Sequence, residues 1–240
     1  MIDKIDRTYL QKLNKKQIGH EKQADVYIIN FSNKKYVVKD ISKKNLIYKL
    51  LIGRYLLKRE YEIYKKLEGL EGIPKVFYLI DKDAFLMEYV EGIPLNQLKD
   101  KKEKFSKDFF EKLHNIIEHM HKRGIAHVDL KKKSNILMNS KGNPVILDFG
   151  VSMINGKKWN FPFKWLFKQL CLADFSALAK LKKYFLPESL TEEDIKRLNH
   201  YSLVECIARI YNELYRILKG KGFRFLRRWK KKKNKQNIFS

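Results

Sequence analysis

Two carboxylates and an amide stand close together in the middle of the chain. Asp129 follows His127 by two positions, Asn135 comes six after Asp129, and Asp148 closes the apolar triplet Val145-Ile146-Leu147, just ahead of Phe149-Gly150. That triplet reads as a buried strand, and an isolated charge at its end would be costly, so Asp148 needs a partner. A divalent metal is the natural one. Transfer of a phosphoryl group from a nucleotide requires this set of groups. A carboxylate and an amide hold Mg²⁺, a second carboxylate takes the proton of the attacking hydroxyl, and a lysine sits beside the moving phosphate. All four residue types occur here. Singly, a His-x-Asp or an Asp-Phe-Gly carries little information; their order and spacing carry the signal.

The run His127-Val128-Asp129-Leu130-Lys131, then Asn135-Ile136-Leu137, then Asp148-Phe149-Gly150 resembles the catalytic and metal-binding loops of the protein-kinase-like superfamily. The resemblance implies Asp129 as catalytic base, Lys131 as the charge beside the γ-phosphate of ATP, and Asn135 with Asp148 on Mg²⁺. It departs in one place. Such kinases set the amide five residues after the base, whereas here position 134 is Ser and the Asn comes sixth. A loop longer by one residue would let Asn135 still reach the metal, with Ser134 as the other candidate. His127 is expected to buttress the loop by hydrogen bonding rather than to act as the base.

The elements that must position these groups lie on both sides. Gln17 opens an apolar-alternating stretch that runs to Ile29 and reads as strand, turn, strand; Ser32-Asn33 turns the chain, and Lys35-Tyr36-Val37-Val38-Lys39 is a third strand. In the kinase resemblance Lys39 grips the α- and β-phosphates, and Gly19, Ala24 and Val26 fall in the phosphate-covering loop. That loop has lost two of its usual glycines, to Glu21 and Ala24, which limits how closely backbone amides approach phosphates. Residues 45–67 carry helical spacing, with Leu46, Leu50, Leu57, Tyr61, Tyr64 and Leu67 recurring at three and four. Glu60 and Glu62 lie on different faces of that helix. Glu60 shares the stripe of Ile63, Tyr64 and Leu67, so it is the better partner for Lys39. Two further strands, residues 76–80 and 84–90, complete a five-stranded antiparallel sheet with one helix. Met87-Glu88-Tyr89-Val90-Glu91-Gly92 resembles a kinase hinge, whose backbone groups at Glu88 and Val90 would bond adenine.

Beyond Pro94, Ser106 is an N-cap for a helix over residues 107–122, and Gly124 ends it. His114, His119 and His121 are spaced by five and two, which suits neither a helical metal pair nor a zinc hairpin. Residues 139–143 form a hairpin turn. No Ala-Pro-Glu follows Gly150, and about ninety residues remain. Such a trimmed second lobe resembles the small bacterial lipopolysaccharide kinases acting on Kdo or heptose sugars, and the RIO-like protein kinases. Ala173-Asp174-Phe175-Ser176, with a later Leu190-Thr191-Glu192-Glu193, points to the former, and Thr191 reads as a helix N-cap. The resemblance thus implies an α+β, two-lobed protein-kinase-like fold. Its N-lobe is residues 1–90, a reduced and mainly helical C-lobe is residues 91–215, and a basic aromatic tail is residues 216–240.

Composition bounds the partners. The 240 residues are 44% hydrophobic and 13% aromatic, enough to bury a sizeable core. The net charge of +25 recruits anions, although a lysine-rich solvated surface is the plain alternative for the scattered lysines. From Arg216 onward there are eleven Lys/Arg and no Asp/Glu, interleaved with Phe223, Phe225, Leu226 and Trp229. That mixture, and the aromatic-basic residues 157–168, suit an anionic membrane surface, with nucleic acid as the second reading. No secretory h-region opens the chain, and Lys164 and Lys168 break its most apolar stretch, so the expected location is the cytoplasm, peripheral at the inner face of the membrane. Cys171 and Cys206 are far apart and read as reduced interior residues. The expected activity is ATP-dependent, Mg²⁺-requiring phosphorylation of a hydroxyl on an anionic acceptor, a lipopolysaccharide core sugar. Protein Ser/Thr is the alternative acceptor, and a nucleotide-binding scaffold without turnover is the third reading.

Overall fold

The computed structural model describes residues 5–13, 15–20, 24–98, 105–156 and 161–199, all within one compact unit that spans residues 1–199. The expected tail, its boundary at 216, and Cys206 lie outside the described residues, as do residues 157–160.

Strands β1 (Lys15–His20), β2 (Asp25–Phe31), β3 (Lys34–Asp40), β4 (Val76–Asp81) and β5 (Ala84–Glu88) form one antiparallel sheet in the order β1-β2-β3-β5-β4. The tight β2–β3 turn places Ser32 and Asn33 at φ 48° and 58°, the paired left-handed geometry that lets a two-residue hairpin follow the sheet's twist. Period-two alternation divides the sheet's apolar residues between two faces. On one face Ile29, Tyr36, Val38, Ala84 and Leu86 pack beneath Ile5 and Leu10. Leu10 belongs to a short helix, α1 (Arg7–Lys12), capped by Asp6, whose side chain accepts the Tyr9 N–H. Arg7 fastens α1 to the sheet: its guanidinium donates to both carboxylate oxygens of Asp81, at 2.6 and 2.8 Å, and to Asp40 at 2.6 Å. A six-residue helix cannot hold itself together in water, so this docking is what forms it.

The other face receives the helix expected over residues 45–67, but that helix is not α throughout. Asn45 caps α2 (Leu46–Tyr48), a π-helical turn follows over Lys49–Gly53, and α3 runs Arg54–Lys66. A Cβ on Gly53 would lie 2.7 Å from the Tyr48 ring and 3.3 Å from Ile41. The backbone comes that close to its own preceding turn only without a side chain. The wider turn also shifts the residues before it off the face of Leu57. Leu46 and Leu50, which carry the helical spacing, are 61% and 62% exposed; the buried stripe begins at Leu57 and continues through Glu60, Ile63, Tyr64 and Leu67.

Past Tyr89–Glu91 the chain enters a second layer. Here β6 (Gly92–Pro94), β8 (Ile136–Asn139) and β9 (Pro144–Ile146) make a small sheet, and β7 (Ile125–Ala126) pairs with β10 (Met153–Ile154). Helices α4 (Lys107–Lys122), α5 (Phe161–Phe185) and α6 (Glu192–Asn199) complete it. Ser106 caps α4 by accepting the Phe109 N–H, and Gly124 leaves it at φ 72°. Thr191 and Asp194 cap α6 reciprocally, each side chain accepting the other's N–H at 3.1 Å. Asp194 is also paired with Lys182 of α5 at 2.8 Å. One apolar core runs from Leu57 and Ile63 of α3 through Phe109 and Ile117 of α4 to Leu181 and Phe185 of α5, so the two layers share it. Cys171 is half-buried, and burial pushes its thiol up to about 12. Among the described residues no helix is long and apolar enough to cross a membrane.

Candidate active site

Between the sheet and the second layer lies a cavity of about 380 Å³. Its roof is Ile18, Val26, Ile28 and Val37; its back is Met87 to Val90; its floor is Leu137 and Leu147; and Lys39, Glu60 and Asp148 close the inner end. The roof and floor are apolar and the inner end is charged, which suits a planar aromatic base carrying an anionic tail.

The charged end is built by three elements. Lys39, on β3, is 5% exposed, and its Nζ donates to Glu60 Oε1 of α3 at 2.9 Å and to Asp148 Oδ1 at 3.1 Å. Glu62, on the other face of α3, is exposed. Lysine and aspartate are 109 positions apart in sequence and meet here because β3 and the loop after β9 converge. Lys132 approaches the second oxygen of Asp148, at 3.7 Å. The charged partners of Asp148 are therefore lysines, and the Gly150 N–H donates to its Oδ1 at 3.4 Å. Burial works to raise its carboxyl, but Lys39 and then Lys132 outweigh burial and hold it below the ordinary range. The Asp148 backbone adopts φ 63°, and its N–H donates to the hydroxyl of Tyr64 at 3.1 Å. Tyr64 is itself fully buried, against Phe149 and Phe85.

The expanded loop brings its amide inward. A short 3₁₀ turn over Lys133–Asn135 takes up the extra residue, and Asn135, 3% exposed, donates from Nδ2 to the Asp129 carbonyl at 3.1 Å and to Asp129 Oδ2 at 3.4 Å. That leaves the Asn135 amide oxygen as an acceptor. Ser134 lines the cavity nearer its floor. Asp129 is half-buried, whereas Lys131 is exposed on the same loop.

His127 is fully buried. Its Nε2 is 2.9 Å from the Leu147 carbonyl, and its Nδ1 is 3.3 Å from the Asp129 N–H. This pattern puts the proton on Nε2 and a lone pair on Nδ1, so neither nitrogen is left to accept a proton from a substrate. The ring ties the loop of Asp129 to the segment after β9 that leads into Asp148. Beneath it sits a residue to which the sequence reading assigned no role. Asp174 of α5, 1% exposed, accepts the His127 and Val128 N–H groups, each at 2.8 Å, and lies 3.0 Å from His121 Nε2. Val128 is at φ 72°, a region that β-branched residues avoid, and Asp174 holds it there. The signal was an acid in the middle of an apolar helical stretch, which must have a partner. Lys132 had no signal separating it from Lys131 and Lys133.

The remaining expected positions are less direct. Val26 lines the cavity, but Ala24 is 2% exposed and packs in the core. Gly19 pairs with Val26 across β1 and β2, and residues 21–23 of the expected phosphate-covering loop lie outside the described residues. Glu88 and Val90 both line the cavity. The Glu88 N–H is spent on the Lys75 carbonyl at 2.8 Å, and its carboxylate accepts the Lys75 N–H at 3.0 Å, so its carbonyl is the backbone group left to consider. Of the three histidines set aside as metal ligands, His114 packs at a tilt against Phe175, His119 bonds the Asn115 carbonyl and His121 meets Asp174.

A family model described as protein kinase domain matches residues 13–209. CBL-interacting serine/threonine-protein kinase 12 of Arabidopsis thaliana is 31% identical over 148 residues, covering 58% of this chain and 29% of the relative. CBL-interacting serine/threonine-protein kinase 21 of the same plant is 36% identical over 132 residues, 51% of this chain and 30% of the relative. Serine/threonine-protein kinase D of Synechocystis sp. is 29% identical over 99 residues, 40% of this chain and 20% of the relative. The matched stretch spans less than a third of the length of each of these relatives.

Proposed function

This chain belongs to the protein kinase domain family, and on that premise we propose that it transfers the γ-phosphate of ATP to a serine or threonine hydroxyl of a protein. The observation that carries the reading is the convergence of Lys39, Glu60 and Asp148 at the charged end of an apolar cavity, with Asp129 and Asn135 bonded to each other on the neighbouring loop.

Lys39, held by Glu60, anchors the α- and β-phosphates. The adenine lies between Val26 and Leu137, against the backbone of Glu88 and Val90. Asp129 orients the acceptor hydroxyl and takes its proton, and Lys131, free in solvent, offsets charge on the transferred group. Asp148 and the amide oxygen of Asn135 are hard oxygen donors of the kind Mg²⁺ takes, so they fit the ion and would hold it. When bound, Mg²⁺ would neutralise charge on the nucleotide's phosphates.

The acceptor reading changes from the sequence-based expectation. A lipopolysaccharide sugar rested on the +25 charge, the aromatic-basic segments and the short second lobe, whereas the relatives are named serine/threonine-protein kinases, and Lys131 is the residue such kinases carry two positions after the base. The test is incubation of the purified chain with γ-labelled ATP and, in parallel, a protein extract and a lipid extract. Label in protein, lost by about 10²-fold or more in Asp129→Asn while nucleotide affinity is kept, is the expected result. Label in the lipid fraction alone returns the acceptor to a sugar. Nucleotide binding without any transfer leaves a scaffold.

A further inference from the structure

The strongest feature outside the cleft is apolar surface on the helix that leads into α3. Within ten residues, Leu46, Ile47, Leu50, Leu51, Ile52 and Tyr55 are 61%, 66%, 62%, 79%, 46% and 67% exposed. Scattered single exposures need no explanation, but six large apolar side chains together mark an interaction site. The π-helical turn Lys49–Gly53, closed against Tyr48 by Gly53, sits in the middle of this patch, and such turns recur at functional positions.

The chemistry of the patch selects its occupant. From residue 41 to residue 59 the chain carries six basic residues, Lys43, Lys44, Lys49, Arg54, Lys58 and Arg59, and no acid. The acids that fold alongside it are engaged by its inner cations: Asp25 by Lys44, and Asp83 by Lys49 and Arg54. Lys43 and Lys58 are exposed at the rim. A second copy of this chain would bring the same positive rim against itself in a two-fold contact, so the occupant is anionic. A partner helix lying in a groove reads a stripe at i, i+3, i+4 and i+7. Here Leu50, Leu51 and Ile52 are consecutive and all exposed, so they point around the helix rather than along one stripe. Lipid wets a protruding helix from every side, and basic residues around an apolar insertion suit acidic headgroups.

We propose that the α2 to α3 segment is a membrane-surface anchor, in which Leu46, Ile47, Leu50, Leu51, Ile52 and Tyr55 enter the headgroup boundary of an anionic bilayer and Lys43 and Lys58 engage its headgroups. This is independent of the acceptor and of the C-terminal basic residues. It places the membrane on the helix that carries Glu60, with the apolar tip two turns before that residue.

The experiment is sedimentation of the full chain with vesicles of equal parts phosphatidylcholine and phosphatidylglycerol, and with vesicles of phosphatidylcholine alone. The expected result is binding to the anionic vesicles that weakens with salt, and that falls about tenfold or more in Leu50→Ser with Leu51→Ser, a pair that leaves the net charge unchanged. Both side chains are exposed, so the variant keeps its core. In Tyr55→Trp, brominated acyl chains are expected to quench fluorescence beyond the quenching of the unchanged chain, which binding through basic residues alone would not produce. Undiminished binding by the double serine variant, or absent extra quenching, overturns the proposal. So does a concentration-dependent doubling of mass that the serine variant loses, which would assign the patch to a second copy.

Discussion

Replacing Asp174 by alanine should cost more than any other single change on α5. Its carboxylate is 1% exposed and accepts two backbone N–H bonds, from His127 and Val128, both at 2.8 Å. Truncation leaves both donors without the acceptor that satisfies them, at about 1–3 kcal/mol each, or roughly 2–6 kcal/mol together. Against a domain stability of about 5–15 kcal/mol, and with about 2–4 °C of melting temperature per kcal/mol at this chain length, the melting point should fall by roughly 4–24 °C. Asp174→Asn keeps the shape and one carbonyl acceptor, so it should fall between the two.

The loss is not only global. Val128 at φ 72° is a β-branched residue in the left-handed region, strained by about 1–2 kcal/mol, and once the clamp is gone it should relax and carry Asp129 with it. Turnover should therefore fall further than nucleotide affinity, because Lys39 and Glu60 sit on the other side of the cavity. Thermal denaturation of the three proteins, with nucleotide titration and labelled-phosphate transfer on each, measures both effects. An alanine variant that melts within about 2 °C of the parent and keeps its turnover would refute the assignment of Asp174 as the residue that positions the catalytic loop.

The Lys39–Glu60 pair is buried on both sides. Lys39→Met alone should therefore destabilise by about 3–5 kcal/mol through the charge it strands. Lys39→Met with Glu60→Gln should recover most of that in urea denaturation without recovering nucleotide binding. Asn135→Ala should raise the Mg²⁺ concentration needed for half-maximal turnover while Ser134→Ala leaves it unchanged; the reverse ranking would assign the expanded loop's metal ligand to the serine. At Asp194 burial works to raise the carboxyl, but the Lys182 and Thr191 hydrogen bonds outweigh it and hold the carboxyl below the ordinary range. Its stabilising share is therefore complete above the unfolded value of about 3.9 and is lost as pH falls through the lower folded value. Asp194→Asn should be less stable than the parent at neutral pH, and the difference should shrink below about pH 4; a gap that stays constant into acid would sink this reading.

What could be read from the chain and what could not divide along a physical line. Side-chain order at fixed spacing was legible: Asp129, Asn135 and Asp148 are common residue types in an uncommon order, and Glu60 separated from Glu62 because only one shares a stripe with Ile63, Tyr64 and Leu67. Strand alternation made the five-stranded sheet legible in the same way. Periodicity reports that a helix exists but not which carbonyl each N–H bonds, so the π-helical turn at Lys49–Gly53 left no mark, and the helical spacing of Leu46 and Leu50 gave no sign that both are exposed. The short α1 has too few residues for a period, and its place against the sheet depends on Arg7 finding Asp81, 74 positions away.

Backbone dihedrals were the least legible of all. Propensity would not assign a valine to φ near 70° and sends an aspartate there only occasionally, yet Val128 and Asp148 both adopt the left-handed region on the two loops that carry the charged groups. Each is held by a group from a distant element, Val128 by Asp174 and Asp148 by Tyr64. A conformation that local sequence disfavours persists only where the rest of the fold over-determines it. The residues that enforce the site's geometry are therefore found by asking what holds the strained backbone. That question leads to α5 and α3 rather than to the catalytic loop itself.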